Sequence, residues 1–409
     1  MGNKKSKPKI KPLPLEKKDD AHPDNIPEEK ENDIEPADNP VVISKEKKYL
    51  YDPVFGRMVY NELVGAWVPA ANEEMYEQSQ RSYLNEREKN KKYLKTFNIE
   101  PEKISNYYKE PHNSFTIVEN IKIKMDTYSY AYFLNDGRLA VNWDKELKIY
   151  SKDFKKIEQK IKNESTCITQ LKDNSLLNTR FNGADIYKYN EKKKNFIFDY
   201  TLKCTSMAEK VIELSNERLA LLWDNISIYK KENGIYVKNG NDLYITTMDD
   251  LIEINENEIA SISGQESEIT FWDLTTREII AQIGDIENFG HGCLLLYDKS
   301  LIVGGANKEF WEGSLKYIYI INIDNKELIK KYYFGQNIWF MIKLNEKEFI
   351  TGETKGIINR YRFEENEVKL MEKNEDHQND TVRKLAFCSN SKQLASLSDS
   401  NLIIFNISE

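Results

Sequence analysis

The first six residues of the chain have the types and spacing of a lipid-modification signal. Met1 is followed by Gly2, and Ser6 lies four positions after that glycine. In this pattern Met1 is removed and the amine of Gly2 forms an amide bond with a myristoyl chain. One such chain binds a bilayer with an association constant of only ~10⁴ M⁻¹, so stable attachment needs a second signal. Gly2 is therefore the predicted lipidation site.

Lysines close to Gly2 are the predicted second signal. Residues 1–18 contain seven lysines and one acid, a net charge of +6, whereas residues 19–40 contain nine acids and one lysine, a net charge of −8. Near an anionic cytoplasmic leaflet each lysine contributes about 1 kcal/mol of attraction. The lysines expected to do so are Lys4, Lys5, Lys7, Lys9 and Lys11. The alternative is an unmodified, lysine-rich solubility tail.

Residues that commonly perform catalysis show no recognisable arrangement. The sequence lacks a Gly-x-x-x-x-Gly-Lys-Ser/Thr loop, a His-Glu-x-x-His helix and a Gly-x-Ser-x-Gly turn. Its four cysteines, Cys167, Cys204, Cys293 and Cys388, stand singly, as in proteins of a reducing compartment rather than in zinc sites. A net charge of −8 argues against general nucleic-acid binding. We expect a non-enzymatic protein without a metal or cofactor.

Seven internal repeats predict the fold that positions these residues. Each repeat reads as a polar turn, a short apolar strand, a second polar turn and an alternating strand. Their equivalent apolar residues, 37 to 48 positions apart, are Leu139, Leu176, Leu219, Ile259, Leu301, Phe349 and Leu394. Units of this length with four short strands are typical of propeller blades, which must stack to bury their faces. The prediction is an all-β fold, a seven-bladed β-propeller of four-stranded antiparallel blades, over residues 113–409.

The two ends of the repeat region are expected to close the ring. The last repeat stops at its third strand, 402–407, and the strand-like stretch 114–124 has no other repeat to join. Pairing the two would complete the seventh blade and remove two exposed strand edges, which otherwise promote aggregation.

Two segments precede the predicted propeller. Residues 1–40, poor in aromatic residues, are expected to be disordered. Within 41–112, the aromatic-rich stretch 45–69 is predicted to form a hairpin around the turn at 52–56. Asn72 is predicted to cap an amphipathic helix with acids at its start and lysines at its end. Its apolar stripe, which either packs on the propeller or binds a partner, is Tyr76, Tyr83, Leu94 and Phe97.

The propeller region resembles the WD40-repeat family, most clearly in the last repeat. There a histidine precedes Val382–Phe387, and Gln393-Leu-Ala-Ser-Leu-Ser-Asp is followed by Leu402-Ile-Ile-Phe. In that family a His before the first strand, a Ser or Thr on the second, an Asp in the tight turn and a Trp on the third form a hydrogen-bonded set. The resemblance implies these structural roles for His377, Ser396 and Asp399, with Phe405 in place of the Trp.

Two other repeats carry an aspartate at the position of Asp399. These residues are Asp144 and Asp224, each preceded by a tryptophan. Their Trp-Asp dipeptides are therefore not the strand-end dipeptide of the WD40 family. Only Phe271-Trp272-Asp273 occupies that place.

The resemblance also implies that the propeller binds other proteins through its loops and one annular face. We expect a monomeric scaffold, cytoplasmic and peripheral on the cytoplasmic side of a membrane, whose tail binds the anionic surface. One alternative is a soluble substrate-recognition or adaptor subunit of a multiprotein complex, of the ubiquitin-ligase or trafficking type. A propeller hydrolase is the other alternative, which convergent carboxylates or histidines in the channel would favour.

Overall fold

The chain divides into two units in a computed structural model, residues 1–74 and 75–409. The residues that the structure describes are 49–52, 56–61, 66–69, 89–109, 113–122, 129–143, 145–162, 166–180, 183–204, 208–222, 225–244, 249–263, 268–284, 291–306, 317–334, 337–377 and 380–408. Gly2 and the five lysines of the predicted membrane signal lie outside these residues. None of the helices in the described ranges is long and apolar enough to cross a membrane.

The first unit contains a small antiparallel sheet. Its strands are β1 (Tyr49–Asp52), β2 (Gly56–Asn61) and β3 (Ala66–Pro69). Strands β1 and β2 pair up to Asp52 opposite Gly56, which confirms the hairpin predicted around 52–56. Strand β3 pairs with β2 and extends the hairpin to three strands.

The second unit is a ring of seven blades, which confirms the predicted seven-bladed β-propeller. Four strands precede the first blade: β4 (Leu94–Lys95), β5 (Glu102–Lys103), β6 (Ser105–Asn106) and β7 (Phe115–Lys122). Blade 1 comprises β8 (Tyr130–Phe133), β9 (Leu139–Trp143), β10 (Glu146–Tyr150) and β11 (Ile157–Lys162). Blade 2 comprises β12 (Ile168–Gln170), β13 (Leu176–Arg180), β14 (Gly183–Asn190) and β15 (Asn195–Leu202).

Blades 3 to 5 repeat this order. Blade 3 comprises β16 (Lys210–Leu214), β17 (Arg218–Leu222), β18 (Asn225–Glu232), β19 (Ile235–Lys238) and the short β20 (Leu243–Tyr244). Blade 4 comprises β21 (Asp250–Asn255), β22 (Glu258–Ser263), β23 (Glu268–Asp273) and β24 (Ile279–Ile283). Blade 5 comprises β25 (His291–Tyr297), β26 (Ser300–Ala306), β27 (Tyr317–Asn322) and β28 (Glu327–Tyr333).

The last two blades bring the chain back to its beginning. Blade 6 comprises β29 (Ile338–Asn345), β30 (Glu348–Glu353), the 3-10 helix Thr354–Gly356, β31 (Ile358–Glu364) and β32 (Glu367–Asn374). Blade 7 comprises β33 (Val382–Cys388), β34 (Gln393–Ser398) and β35 (Asn401–Ile407). Strand β7 is its fourth strand and pairs antiparallel with β35, which confirms the predicted closure of the ring.

The hydrophobic core consists of clusters between neighbouring blades, because each blade packs its two faces against the blades on either side. One cluster joins Phe271 of blade 4 to Tyr319 of blade 5, and another joins Leu402 of blade 7 to Val141 of blade 1. Cys167, Cys293 and Cys388 are buried free thiols within such clusters.

Residues 93–107 form a belt along the outer strands of blades 4 to 6. Strand β4 adds in parallel to β24, β5 to β28 and β6 to β32, so these blades have five strands rather than four. Partly buried side chains of the belt pack into the clusters between blades, and these are Tyr93, Phe97, Ile99 and Ile104.

The belt corrects the C-terminal end of the predicted helix. In its described part, residues 89–90 are helical and Lys91–Tyr93 form a 3-10 helix, but the backbone of Leu94 is already extended. The outer strands of the blades explain this outcome, because pairing with an open edge satisfies backbone groups that the last helical turn would leave unpaired. The apolar side chain of Phe97 consequently packs on the propeller.

Candidate interaction site around the central channel

The innermost strands of six blades line a central cavity of about 580 Å³. One position recurs in the strand pairing of all seven blades, within two residues of the start of the innermost strand. It is occupied by Tyr130, Cys167, Lys210, Asp250, Cys293, Phe340 and Lys384, which we call the channel ring. The same register that builds the blades therefore brings residues far apart in the sequence to one level of the channel.

A partly buried ion pair and the hydrogen bonds of its carboxylate connect three blades at this level. The ammonium of Lys210 contacts Oδ1 of Asp250, whose side chain is largely buried. Asp250 Oδ1 also accepts a hydrogen bond from Leu251 N at 2.8 Å, and its Oδ2 accepts one from Leu294 N at 2.8 Å. Both carboxylate oxygens are thus used to hold blades 3, 4 and 5 together.

The second lysine of the channel ring lies against aromatic rings. Lys384 Nζ is 5.3 Å from the ring centroids of Tyr130 and Phe340, within the range of a cation–π interaction. Burial raises the pKa of the Tyr130 phenol well above its ordinary value, so the phenol is neutral at physiological pH. Because Asp250 is balanced by Lys210, Lys384 leaves the ring with one excess positive charge.

The remaining carboxylates that line the cavity bond to turns of neighbouring blades. Glu213 accepts a hydrogen bond from Lys172 N at 2.6 Å, and Glu253 accepts one from Ser215 N at 2.7 Å. Each bond joins an innermost strand to the turn of the preceding blade. No group of three or more His, Cys, Asp or Glu residues suited to a metal ion occurs in the described ranges.

An exposed cluster of different chemistry lies next to the channel ring, on blades 6 and 7. The guanidinium carbon of Arg383 is 4.6 Å from the ring centroid of Trp339, and both side chains are partly exposed. Asp399 accepts hydrogen bonds from Arg383 Nε at 2.7 Å and from Nη2 at 3.4 Å. The bidentate contact fixes the guanidinium plane over the indole. We call these three residues the Trp-Arg cluster.

The position of Asp399 corrects the role implied by the WD40 resemblance. Two members of the expected set do meet, with His377 Nε2 2.8 Å from Ser396 Oγ. His377 Nδ1, however, has no hydrogen-bond partner among the described residues, because Asp399 is bound to Arg383. Burial lowers the pKa of His377 to about 4, so the ring is neutral and attracts a carboxylate less strongly than a guanidinium does.

Asp380 organises the turn in which Asp399 lies. Its Oδ2 accepts hydrogen bonds from Ser398 Oγ at 2.9 Å and from Ser400 N at 2.8 Å. Burial opposes ionisation of Asp380, but the bonds from Ser400 and Ser398 outweigh it and lower the pKa of the carboxyl.

Blade 4 contains another part of the hydrogen-bonded set that the WD40 resemblance implies, at residues for which the repeats did not predict it. The indole Nε1 of buried Trp272 donates to Ser261 Oγ at 3.0 Å. The repeat alignment could have predicted this contact, because Ser261 follows Ile259 by two positions, just as Ser396 follows Leu394. Asp144 and Asp224, expected at equivalent turns, lie outside the described residues.

Comparison with solved structures identifies the architecture. A chain in the crystal structure of the mitotic checkpoint complex is similar over 76% of this chain and 98% of its own length, with 13% identity and a TM-score of 0.60. The fold is that of WD40 propellers. The RRP9 WD40 repeats match 72% of this chain and all of their own, with 10% identity and a TM-score of 0.55. The Cps50 (Swd1) β-propeller domain of Myceliophteria thermophila matches 72% of this chain and all of its own, with 13% identity and a TM-score of 0.54. No family model and no curated protein matches the sequence.

Proposed function

We propose that this protein is a non-enzymatic scaffold that binds other proteins at the Trp-Arg cluster and the adjoining mouth of the channel. The observation that carries the proposal is the stacking of Arg383 on Trp339, with Asp399 fixing the guanidinium. Tryptophan and arginine dominate the binding energy of protein interfaces.

Two further observations support a scaffold over a hydrolase. The carboxylates of Asp250, Glu213 and Glu253 all accept hydrogen bonds that hold blades together, and His377 is buried and neutral. A similar propeller occurs in the structure of the mitotic checkpoint complex, a protein assembly, at 13% identity. A binding role for the annular face is therefore better supported than catalysis in the channel.

Variants of the Trp-Arg cluster test the proposal. The partners of wild-type protein are first identified by proximity labelling in the native cell, and their affinities are then compared for Trp339→Ala and Arg383→Ala. Loss of an interface residue of this importance costs at least ~2 kcal/mol, or about 30-fold in affinity. Lys299→Ala, which removes a more exposed ion pair with Asp324 at 2.9 Å in blade 5, is the control and should leave affinity unchanged. Equal binding by all three variants would contradict the proposed site.

We also propose that the scaffold is tethered to the cytoplasmic face of a membrane by a myristoyl group on Gly2 together with Lys4, Lys5, Lys7, Lys9 and Lys11. The support is the sequence pattern of residues 1–7 and the +6 charge of residues 1–18. Gly2→Ala should move the protein from membrane to cytosolic fractions, and salt should release the acylated protein from anionic vesicles. An intact mass without the acyl group on the N-terminal peptide would instead favour a soluble adaptor subunit.

A further inference from the structure

The outer strands of the propeller are covered unequally. Strands β24, β28 and β32, the fourth strands of blades 4 to 6, each pair with the belt. Among the described residues no further strand pairs with the outer edge of β11, β15, β19 or β7, the outermost strands of blades 1, 2, 3 and 7. Of these four edges β15 and β7 are the longest, with eight residues each, against six in β11 and four in β19, and β15 carries the more exposed aromatic side chain, Phe198.

The outward-facing backbone groups of β15 can be located from one contact. Phe196 N donates to Gln159 Oε1 at 2.8 Å, and Phe196 O accepts from Gln159 Nε2 at 2.7 Å. The side-chain amide of Gln159 therefore pairs with the outer edge as a peptide group would. The N–H and C=O groups of successive residues in a strand point to opposite edges, so those of Phe198, two residues after Phe196, also point outward. Asp199, the extra residue of a β-bulge, follows Phe198 and ends this regular stretch.

The side chains at this edge are apolar. The side chain of Phe198 is 55% exposed, the highest value among the large hydrophobic residues of the described ranges, and Ile197 is 42% exposed. The ring of Phe198 rests edge-on against Tyr187, with the centroids 5.8 Å apart, so its position is fixed. A neighbouring strand would cover this ring while pairing with the backbone of Phe198.

The charges near this edge are predominantly positive. The turn between β14 and β15 consists of Glu191, Lys192, Lys193 and Lys194, all of them exposed. Lys160 and Lys162, on the outer strand of the neighbouring blade 1, are also exposed, with Lys160 3.7 Å from Glu146. The exposed acids of the two strands are fewer: Glu158 on β11, and Asp199 on β15, which pairs with Lys188 at 2.8 Å. An extended segment that approaches β15 therefore meets an excess of lysine ammonium groups, which favour carboxylates.

We propose that the outer edge of β15 binds an extended, acidic segment of a partner protein, which adds a short β-strand next to Phe198. The belt provides the precedent, because β4, β5 and β6 bind their blades with only two paired residues each. Backbone hydrogen bonds would supply affinity, and Phe198 with the lysine turn would supply selectivity. This inference deepens the proposed scaffold function and rests on it.

Peptide binding to the full-length protein tests the inference. The probe is a fluorescein-labelled peptide, Glu-Val-Glu-Ile-Glu-Val-Glu, measured by fluorescence anisotropy. Two matched peptides serve as comparisons: one with Lys in place of every Glu, and one with Pro in place of Ile, which keeps the charge but cannot donate the central hydrogen bond. We expect saturable binding of the first peptide alone, weakened when salt rises from about 0.05 M to about 0.5 M.

Variants then locate the binding edge. Phe198→Ser should weaken binding about tenfold, and Lys192→Glu combined with Lys193→Glu should weaken it by a similar factor. Ile280→Ser is the control. Ile280 is an exposed apolar residue of an outer strand, 42% exposed, but it lies on β24, whose edge is occupied by β4. The control variant should bind as wild type does.

Four outcomes would overturn the inference. They are no saturable binding, binding that Phe198→Ser leaves unchanged, binding that appears only after residues 1–40 are removed, and a dimer that Phe198→Ser abolishes. The third would assign the edge to the chain's own acidic stretch, and the fourth to a second copy. Because none of these variants touches Trp339 or Arg383, failure here leaves the test of the Trp-Arg cluster intact.

Discussion

Arg360 provides the sharpest test of how the ring is held closed. This residue of β31 is 4% exposed. Its Nη1 donates to Ser114 Oγ and to Ser408 O, both at 2.8 Å. Ser114 immediately precedes β7 and Ser408 immediately follows β35, so one guanidinium of blade 6 binds both ends of the strand pair that closes blade 7. Arg360 Nη2 also donates to the buried carboxylate of Glu348 at 2.7 Å.

These contacts determine how much the Arg360→Met substitution should lower the free energy of unfolding. Removing one member of a buried ion pair typically costs ~3–5 kcal/mol, because the other charge remains buried without compensation. Arg362 Nη1, 3.6 Å from Glu348 Oε1, and Asn345 Nδ2, 3.2 Å from Oε2, offset part of that cost. The two lost hydrogen bonds, to Ser114 and Ser408, add about 1 kcal/mol each. We therefore expect a loss of roughly 3–5 kcal/mol in the free energy of unfolding.

Urea unfolding followed by tryptophan fluorescence measures this loss, with unfolding rates compared if refolding is incomplete. Arg383→Met is the matched control: its partner Asp399 is 45% exposed, and exposed pairs contribute only about 0–1 kcal/mol. The double variant Arg360→Met with Glu348→Met should recover much of the stability, since Glu348 no longer leaves a buried charge without its partner. A single variant within about 1 kcal/mol of wild type would refute the role assigned to Arg360.

Three other perturbations have definite expected outcomes. Because burial lowers the pKa of His377 to about 4, the unfolded chain binds the extra proton, and wild type should lose about 2 kcal/mol between about pH 7 and pH 5 relative to His377→Gln in urea titrations. Burial raises the pKa of Glu353 from about 4.5 to about 8, so its stabilisation is fully present below about pH 4.5 and is lost as pH rises from there to about 8; Glu353→Gln should flatten that decline in thermal melts by about 2–4 kcal/mol. Truncating Phe97 or Ile99 of the belt to Ala should cost about 1–3 kcal/mol and increase light scattering, whereas unchanged melting would show that the belt does not stabilise blades 4 and 5.

The propeller was predictable because its pattern is repeated. Each blade must bury both faces, so Leu139 and its six equivalents recur as apolar residues and are all fully buried. The belt was not predictable, because strands of two residues carry no periodicity. Leu94 and Phe97 fit a helical stripe equally well, and only the open edges of blades 4 and 5 decide between the two conformations.

The site was predictable only where one local motif contains it. His377 and Ser396 were found because the last repeat keeps the WD40 pattern. Asp399 was misassigned because Arg383, a stronger partner for its carboxylate, lies across the blade and belongs to no motif. The ion pair of Lys210 and Asp250 joins two blades and follows from strand register, which the spacing of repeats does not fix to one residue.

The lysines beside β15 have a consequence that goes beyond attraction of a partner. An open, apolar strand edge promotes self-association, and natural proteins counter this with charged residues, lysine above all. Two copies that met through β15 would each bring Lys192, Lys193 and Lys194 to the shared edge, and the added positive charge would oppose the contact. The same charges favour an acidic strand, so one feature both excludes the wrong partner and selects the right one. Reversing the turn to glutamates should therefore do more than weaken the acidic peptide: at low salt it should also allow the lysine-containing peptide to bind.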